Sequence, residues 1–281
     1  MRLAPRYDGP VIISIAGPAD DQRVPVMRQR RRLEATLADL SDDDWKSPSR
    51  CDLWTVQDVV AHLVGVNGFW QHSVSAGLAG TPTRVLTGFD PAATPPLMVE
   101  PMRALTPAEV LEQFVSSNDA FLGTIAELDE PAWSMLAESP AGHVPIRVLA
   151  HHALWDSWIH ERDIALPLGL HPIVEPDEMM SSLRFAAALS SALAISFGGT
   201  CVGAFALEAS DPELCFELVV GDSVVVREGP VSSDAPCLRG GAAALVEALS
   251  LRTPLPPSAP AEWRELLAGM ATAFRAELEL S

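Results

Sequence analysis

The residues best equipped for chemistry fall in one run: His151-His152-Ala153-Leu154-Trp155-Asp156-Ser157-Trp158-Ile159-His160-Glu161-Arg162-Asp163. Positions 152, 156 and 160 are spaced by four. On a helix, side chains at i and i+4 point the same way, so His152, Asp156 and His160 form one slowly drifting stripe. A carboxylate one turn from an imidazole can bind a metal ion together with a ligand from another helix. No His-Glu-x-x-His is present, so a zincin-type protease is not indicated. The other donor is His62, within Val59-Val60-Ala61-His62-Leu63. Alone, a histidine among aliphatics reads as a satisfied core residue. With Asp156 and His160 it completes three N/O ligands that leave room for water or substrate, the form of a catalytic zinc site. Asp58, one turn before His62, either orients that imidazole or caps the helix. Asp163, three residues after His160, has the same two readings. His151 points roughly 100° away from His152 and cannot share its site. His72 and His143 carry no spacing signal and read as surface residues.

These donors need helices to bring them together. Val26 to Leu40 fits a first helix, with Leu33, Leu37 and Leu40 inward and the cluster Arg28, Arg30, Arg31, Arg32 on a solvated face. Thr55-Val56-Gln57-Asp58 is a capping box that opens the helix bearing His62. Residues 80–101, rich in Pro, Thr and Gly, read as a long loop able to wall a site. Thr106-Pro107-Ala108-Glu109 opens a third helix running to about Leu128, with proline at N1 and glutamate at N3. A fourth helix, from about Pro145 to Ala165, stops near Pro167 and Gly169. With no strand pattern between them, these four predict a helical bundle. Beyond residue 170 the texture changes. A helix near Glu175–Phe197 precedes strand-like runs at Val202–Ala209, Leu214–Val220 and Ser223–Arg227, with Gly221-Asp222 as a hairpin turn. Helices follow at Gly240–Ser250 and Pro260–Leu280. The predicted organisation is an irregular leader over 1–20, a bundle over 21–170 and an α+β domain over 171–281.

The chain has 281 residues, 19 basic and 37 acidic, for a net charge of −18. Such a chain repels phosphate backbones and anionic lipid surfaces, so no nucleic-acid or membrane partner is expected. An acidic substrate would need a local positive group, for which Arg252 and Arg162 are candidates. Hydrophobic residues make up 48%, ample for a core. The uncharged stretch Phe185–Leu207 is long enough to span a bilayer, but Gly198-Gly199 interrupts it, and a buried helix followed by a buried strand is the better reading. The apolar run at Val11–Ile15 is short and lies between Pro10 and Pro18, which argues against a signal peptide. The cysteines at 51, 201, 215 and 237 show no C-x-x-C, and reduced cytoplasmic thiols are expected. Lys46 is the only lysine, and with abundant alanine this composition suggests a GC-rich, actinobacterial source.

Asp44-Trp45, the block Cys51-Asp52-Leu53-Trp54-Thr55-Val56-Gln57-Asp58-Val59-Val60-Ala61-His62-Leu63 and the run from Trp155 to Ile164 resemble the mycothiol-dependent maleylpyruvate isomerase family, within the DinB-like metalloenzyme superfamily. The resemblance spans about residues 21–170. It implies a four-helix bundle whose second and fourth helices hold a divalent metal, usually Zn²⁺, through a histidine and a Glu-x-x-x-His pair. His62 and His160 match those ligands. Asp156 stands at the glutamate position, one methylene shorter, and His152 is a candidate substitute or additional ligand. The C-terminal part is similar to the sterol-carrier-protein-like domain that often follows this bundle. Family members place an arginine of that domain near the substrate, and Arg252 is the candidate here. The implied cosubstrate is a low-molecular-weight thiol, mycothiol. A free thiol titrates near about 8.5, and zinc coordination deprotonates it. The implied reaction is S-transfer to, or cis–trans isomerisation of, a small electrophile by a monomer or homodimer. Two other readings use the same residues: a metal-dependent hydrolase acting through activated water, and a non-catalytic small-molecule-binding protein with a degenerate metal site.

Overall fold

The computed structural model describes residues 5, 7, 8, 11–17, 22–228 and 231–276. In chain order the elements are β1 (Ile13–Ile15), α1 (Arg23–Ala38), α2 (Asp42–Lys46), α3 (Val56–Leu78), α4 (Thr94–Val99), α5 (Pro107–Ile125), α6 (Glu130–Trp133), β2 (Leu136–Ser139), β3 (Gly142–Pro145) and α7 (Ile146–Ala165). They continue with α8 (Pro176–Ser196), β4 (Gly203–Ser210), β5 (Leu214–Val220), β6 (Val224–Glu228), β7 (Cys237–Gly241), α9 (Ala242–Leu249) and α10 (Ala261–Phe274).

The architecture is α+β: a bundle of α1, α3, α5 and α7, followed by a smaller mixed unit. Each bundle helix touches two others, α1 and α3 both packing against α5 and α7. The sequence explains the helix starts. Thr55 and Asp58 form the expected capping box on α3, and Thr106 and Glu109 form the one on α5, each satisfying two otherwise orphaned N–H groups. The mixed unit is a five-stranded sheet in the order β1-β6-β5-β4-β7. Strands β4, β5 and β6 make an antiparallel meander, to which β1 and β7 add in parallel at either edge.

Helix α8 lies between sheet and bundle, contacting α7, α10, α9 and three strands. It is long and apolar enough to cross a membrane by length and composition, yet most of its residues are buried against these neighbours. A helix followed by a strand is therefore the arrangement found across Phe185–Leu207. α10 crosses α8 so closely at Gly269 that a Cβ there would fall 2.1 Å from the Ala194 nitrogen, a site only glycine fills.

Several expectations need correction. The leader is not irregular throughout: Ile13–Ile15 pairs with Val224–Val226 as an edge strand, a contact between residues some two hundred positions apart that local pattern cannot reveal. Pro10, Pro18 and the other undescribed leader positions, and residues 277–281 of the last predicted helix, lie outside the described residues. The segment before α7 is not free of strands, since β2 and β3 form a hairpin there. The 80–101 segment is not all loop: α4 and a 3-10 turn over Glu100–Ala104 run along α3. The arginine cluster is not a solvated face. Arg30 is fully buried, donating to Asn118 Oδ1 and the Ala153 carbonyl, and Arg32 is half-buried, paired with Glu161 and Glu178. His143 is buried too, its Nε2 2.8 Å from the Thr83 carbonyl and its ring against Tyr7.

Candidate metal centre

Helices α3 and α7 bring three donors to one point. His62 Nε2 and His160 Nε2 each lie 3.8 Å from Asp156 Oδ1. The two imidazoles meet edge to face, with centroids 4.9 Å apart, and Trp54 leans on His62 at 5.5 Å. One ligand atom from each of the three residues lies within 4.8 Å of the others. Asp156 Oδ2 is buried and makes no hydrogen bond. A buried carboxylate oxygen without a partner is costly. The other oxygen, Oδ1, faces two imidazole nitrogens, donors suited to a divalent transition metal, so the residues present fit such an ion. Burial pushes the Asp156 carboxyl up, but His62 and His160 outweigh it and hold the group below the usual carboxylate range.

His160 is held from its other side. Its Nδ1 lies 3.0 Å from Asp163 Oδ2, the arrangement in which a carboxylate fixes the tautomer and leaves Nε2 facing the cluster. Asp163 is buried and takes a fork from Arg252, with Nε 2.9 Å from Oδ1 and Nη2 2.7 Å from Oδ2. The Cys51 thiol completes the group, 3.3 Å from Asp163 Oδ2 and 3.7 Å from both His160 Nδ1 and Arg252 Nη2. Burial disfavours the His160 imidazolium, but Cys51, Asp163 and Asp156 outweigh it and raise His160 to about 10. Cys51, His160 and Asp163 are themselves close enough to share a cation. The Arg252 guanidinium, however, already lies against two of the three. On the Nε2 side the ion pairs of Asp156 are with His62 and His160, and buried Arg30 acts on it only through its field.

The remaining candidates fall around this centre. Asp58 commits one oxygen to the Thr55 backbone N–H and the other to Arg103, so its contacts are those of a cap. His152 is boxed by Trp70, Trp155 and Phe185, with centroids 4.6, 5.7 and 4.5 Å away, and burial lowers it to about 4. It does not join the ligand cluster. Arg162 is paired with Glu247 and lies over the Trp158 ring, and Arg252 is paired with Asp163. Asp58, His62 and Gly65 share one face of α3, which the α4 region covers: Met98 reaches 3.2 Å from where a Gly65 Cβ would stand, and Arg103 holds Asp58. Cys51 is the residue that sequence reasoning missed. Its place beside the Thr55 cap was visible, but its partners come from α7 and from the end of α9.

Fold and site together define a four-helix-bundle protein with imidazole and carboxylate donors converging from α3 and α7. Sequence and structure show homology to the mycothiol-dependent maleylpyruvate isomerase family of the DinB-like superfamily. Residues 26–165 match the family described as Mycothiol maleylpyruvate isomerase N-terminal domain. Two solved structures share the fold: the mycothiol-dependent maleylpyruvate isomerase, with a TM-score of 0.59, and a histidine-to-alanine mutant of it, with 0.60. Each is 16% identical and aligns over 84% of this chain and 90% of its own. No curated protein matches the chain.

Proposed function

We propose that the protein is a metal-dependent enzyme that activates a low-molecular-weight thiol, mycothiol, for addition to a small electrophile. That addition is the step shared by cis–trans isomerisation and S-transfer. The observation that carries the reading is the convergence of His62 and His160 on Asp156 Oδ1, with the other oxygen of that carboxylate, Oδ2, buried and without a hydrogen bond. A divalent cation such as Zn²⁺ bound there supplies the Lewis acidity that keeps a thiol in its nucleophilic, deprotonated form.

The chain's own residues supply the rest. His62 and Asp156 present ligand atoms from two rigid helices, and Asp163 orients His160. Trp54 and Met98 border the His62 face with apolar surface that limits water beside it. In the isomerisation branch the thiol adds to a cis-enedione carbon, rotation follows about the former double bond, and elimination returns the trans isomer and the thiol. In the transfer branch the electrophile loses a leaving group or opens an epoxide, and the thioether persists.

Cobalt-substituted protein tests the reading, because the visible spectrum of Co²⁺ reports a change of ligand. Mycothiol is expected to produce new sulfur-to-cobalt absorption. An unchanged spectrum contradicts thiol activation and favours the hydrolase reading.

A further inference from the structure

Arg252 stands on the loop that ends α9, outside the bundle, yet all three of its guanidinium nitrogens are engaged. Nε and Nη2 grip the two oxygens of Asp163, Nη2 also reaches Cys51, and Nη1 donates to the Ser250 carbonyl at 3.2 Å. The backbone aims it there. Leu251 is held at φ 60°, in the left-handed region that a branched side chain adopts at a cost of about 1–2 kcal/mol. Around it the Arg252 N–H bonds the Glu247 carbonyl at 2.8 Å, closing α9 and turning the arginine back toward α7. Strain persists where the surroundings over-determine it, and here it falls in the turn that carries Arg252 to Asp163. Asp163 in turn holds His160 Nδ1, so the contacts run from the mixed unit into the bundle's ligand cluster.

We infer that Arg252 is a positioning residue for the metal centre: acting through Asp163, it fixes the orientation and tautomer of His160, so the C-terminal unit completes the metal site. This rests on the metal reading above. It assigns Arg252 a task other than touching substrate, since four of its five N–H groups are engaged by Asp163, Cys51 and Ser250. The neighbouring bridge, in which Arg50 and Arg162 both hold Glu247 of α9, meets the clamp at Arg50, whose Nε lies 3.8 Å from Asp163 Oδ1, a longer contact than the Arg252 fork. Metal binding and the grip of the C-terminal unit are then linked in both directions, because each favours the same His160 arrangement.

Titration of the full-length, metal-stripped protein with Co²⁺ alone tests this, reading both affinity and the d–d spectrum. Loss of an outer partner of a ligating histidine weakens metal binding by about 10–100-fold. R252M and D163N should each show a weakening of that size with a shifted cobalt spectrum. The double variant should be no weaker than D163N alone, because the two residues act as one unit. R252K keeps the charge but loses the fork, so it should fall between R252M and the unmodified chain, and it serves if R252M fails to fold. E247Q, which loosens the neighbouring bridge, should leave affinity and spectrum unchanged. Undiminished affinity in R252M or R252K, additive losses in the double variant, or an equal loss in E247Q each overturns the inference while leaving the metal site standing. An unmodified chain that binds no Co²⁺ overturns both.

Discussion

His62 reaches from α3 to within 3.8 Å of Asp156 on α7, and that contact joins two helices whose sequences lie nearly a hundred residues apart. The shorter carboxylate is thus in place for the cluster, with one oxygen toward both imidazoles and the other buried without a partner. Replacing Asp156 by asparagine removes the negative charge the cluster offers a cation. Zn²⁺ affinity of D156N should fall by more than the roughly 10–100-fold that loss of an outer partner costs. D156E keeps the charge and should retain binding. Competition against a chelating dye measures both, and wild-type affinity in D156N would rule out Asp156 as a ligand.

The ion pairs between bundle and α8 carry stability. Glu178 is fully buried and accepts from Arg28 at 2.9 Å and from Arg32 at 2.7 Å, while Arg32 also holds Glu161. E178A leaves Arg28 with Asp177 and Arg32 with Glu161, and both arginines are partly solvated. The expected loss is about 2 kcal/mol, less than the roughly 3–5 kcal/mol of a buried charge left unpaired. Urea unfolding reads it directly, and an unshifted midpoint would contradict the account.

Leu53 is 98% exposed and sits at φ 64° in the turn between Cys51 and Trp54. It gains no burial in return for a left-handed backbone. L53G should therefore stabilise the chain by about 0.5–1 kcal/mol net of glycine's unfolded-state entropy. A rise in melting temperature of about 1–3 °C is expected by calorimetry, and a fall would show that the leucine makes a contact the turn needs.

Acid should destabilise the fold through His151. Its Nδ1 lies 2.7 Å from Ser181 Oγ, whose own hydroxyl donates to Gln22, so His151 is the donor to Ser181. Burial, with Arg184 and Arg147 nearby, lowers it from the ordinary 6.5 to about 3. Between those values the unfolded chain binds a proton that the folded chain refuses. The contribution is therefore complete above about pH 6.5 and is lost progressively as pH falls toward about 3. Stability curves of H151Q should be flatter across that window. Parallel curves would place the acid sensitivity elsewhere.

What the sequence disclosed was periodic or local. The Thr55 and Thr106 caps follow from residue type at fixed offsets, and the His62, Asp156 and His160 convergence follows from helical spacing plus the expectation of a bundle. Sequence hid what depends on distant partners. β1 and β7 are short and gain their place only by parallel pairing with strands far along the chain. Arg30 and Arg32 look like surface charge until the helices around them supply acceptors. Arg252 was legible as a candidate, but its partner Asp163 and the thiol of Cys51 belong to the bundle. Their contact exists only once both parts have folded.

The central claim is that His62, Asp156 and His160 hold a divalent metal. Metal analysis of the purified protein after exposure to Zn²⁺ and removal of excess, alongside H62A and H160A, tests it most directly. The account predicts about one zinc per chain in the unmodified protein and little in either variant, with the fold retained by circular dichroism. A folded, unmodified chain that holds no stoichiometric metal, or variants that hold as much as it does, would contradict the account.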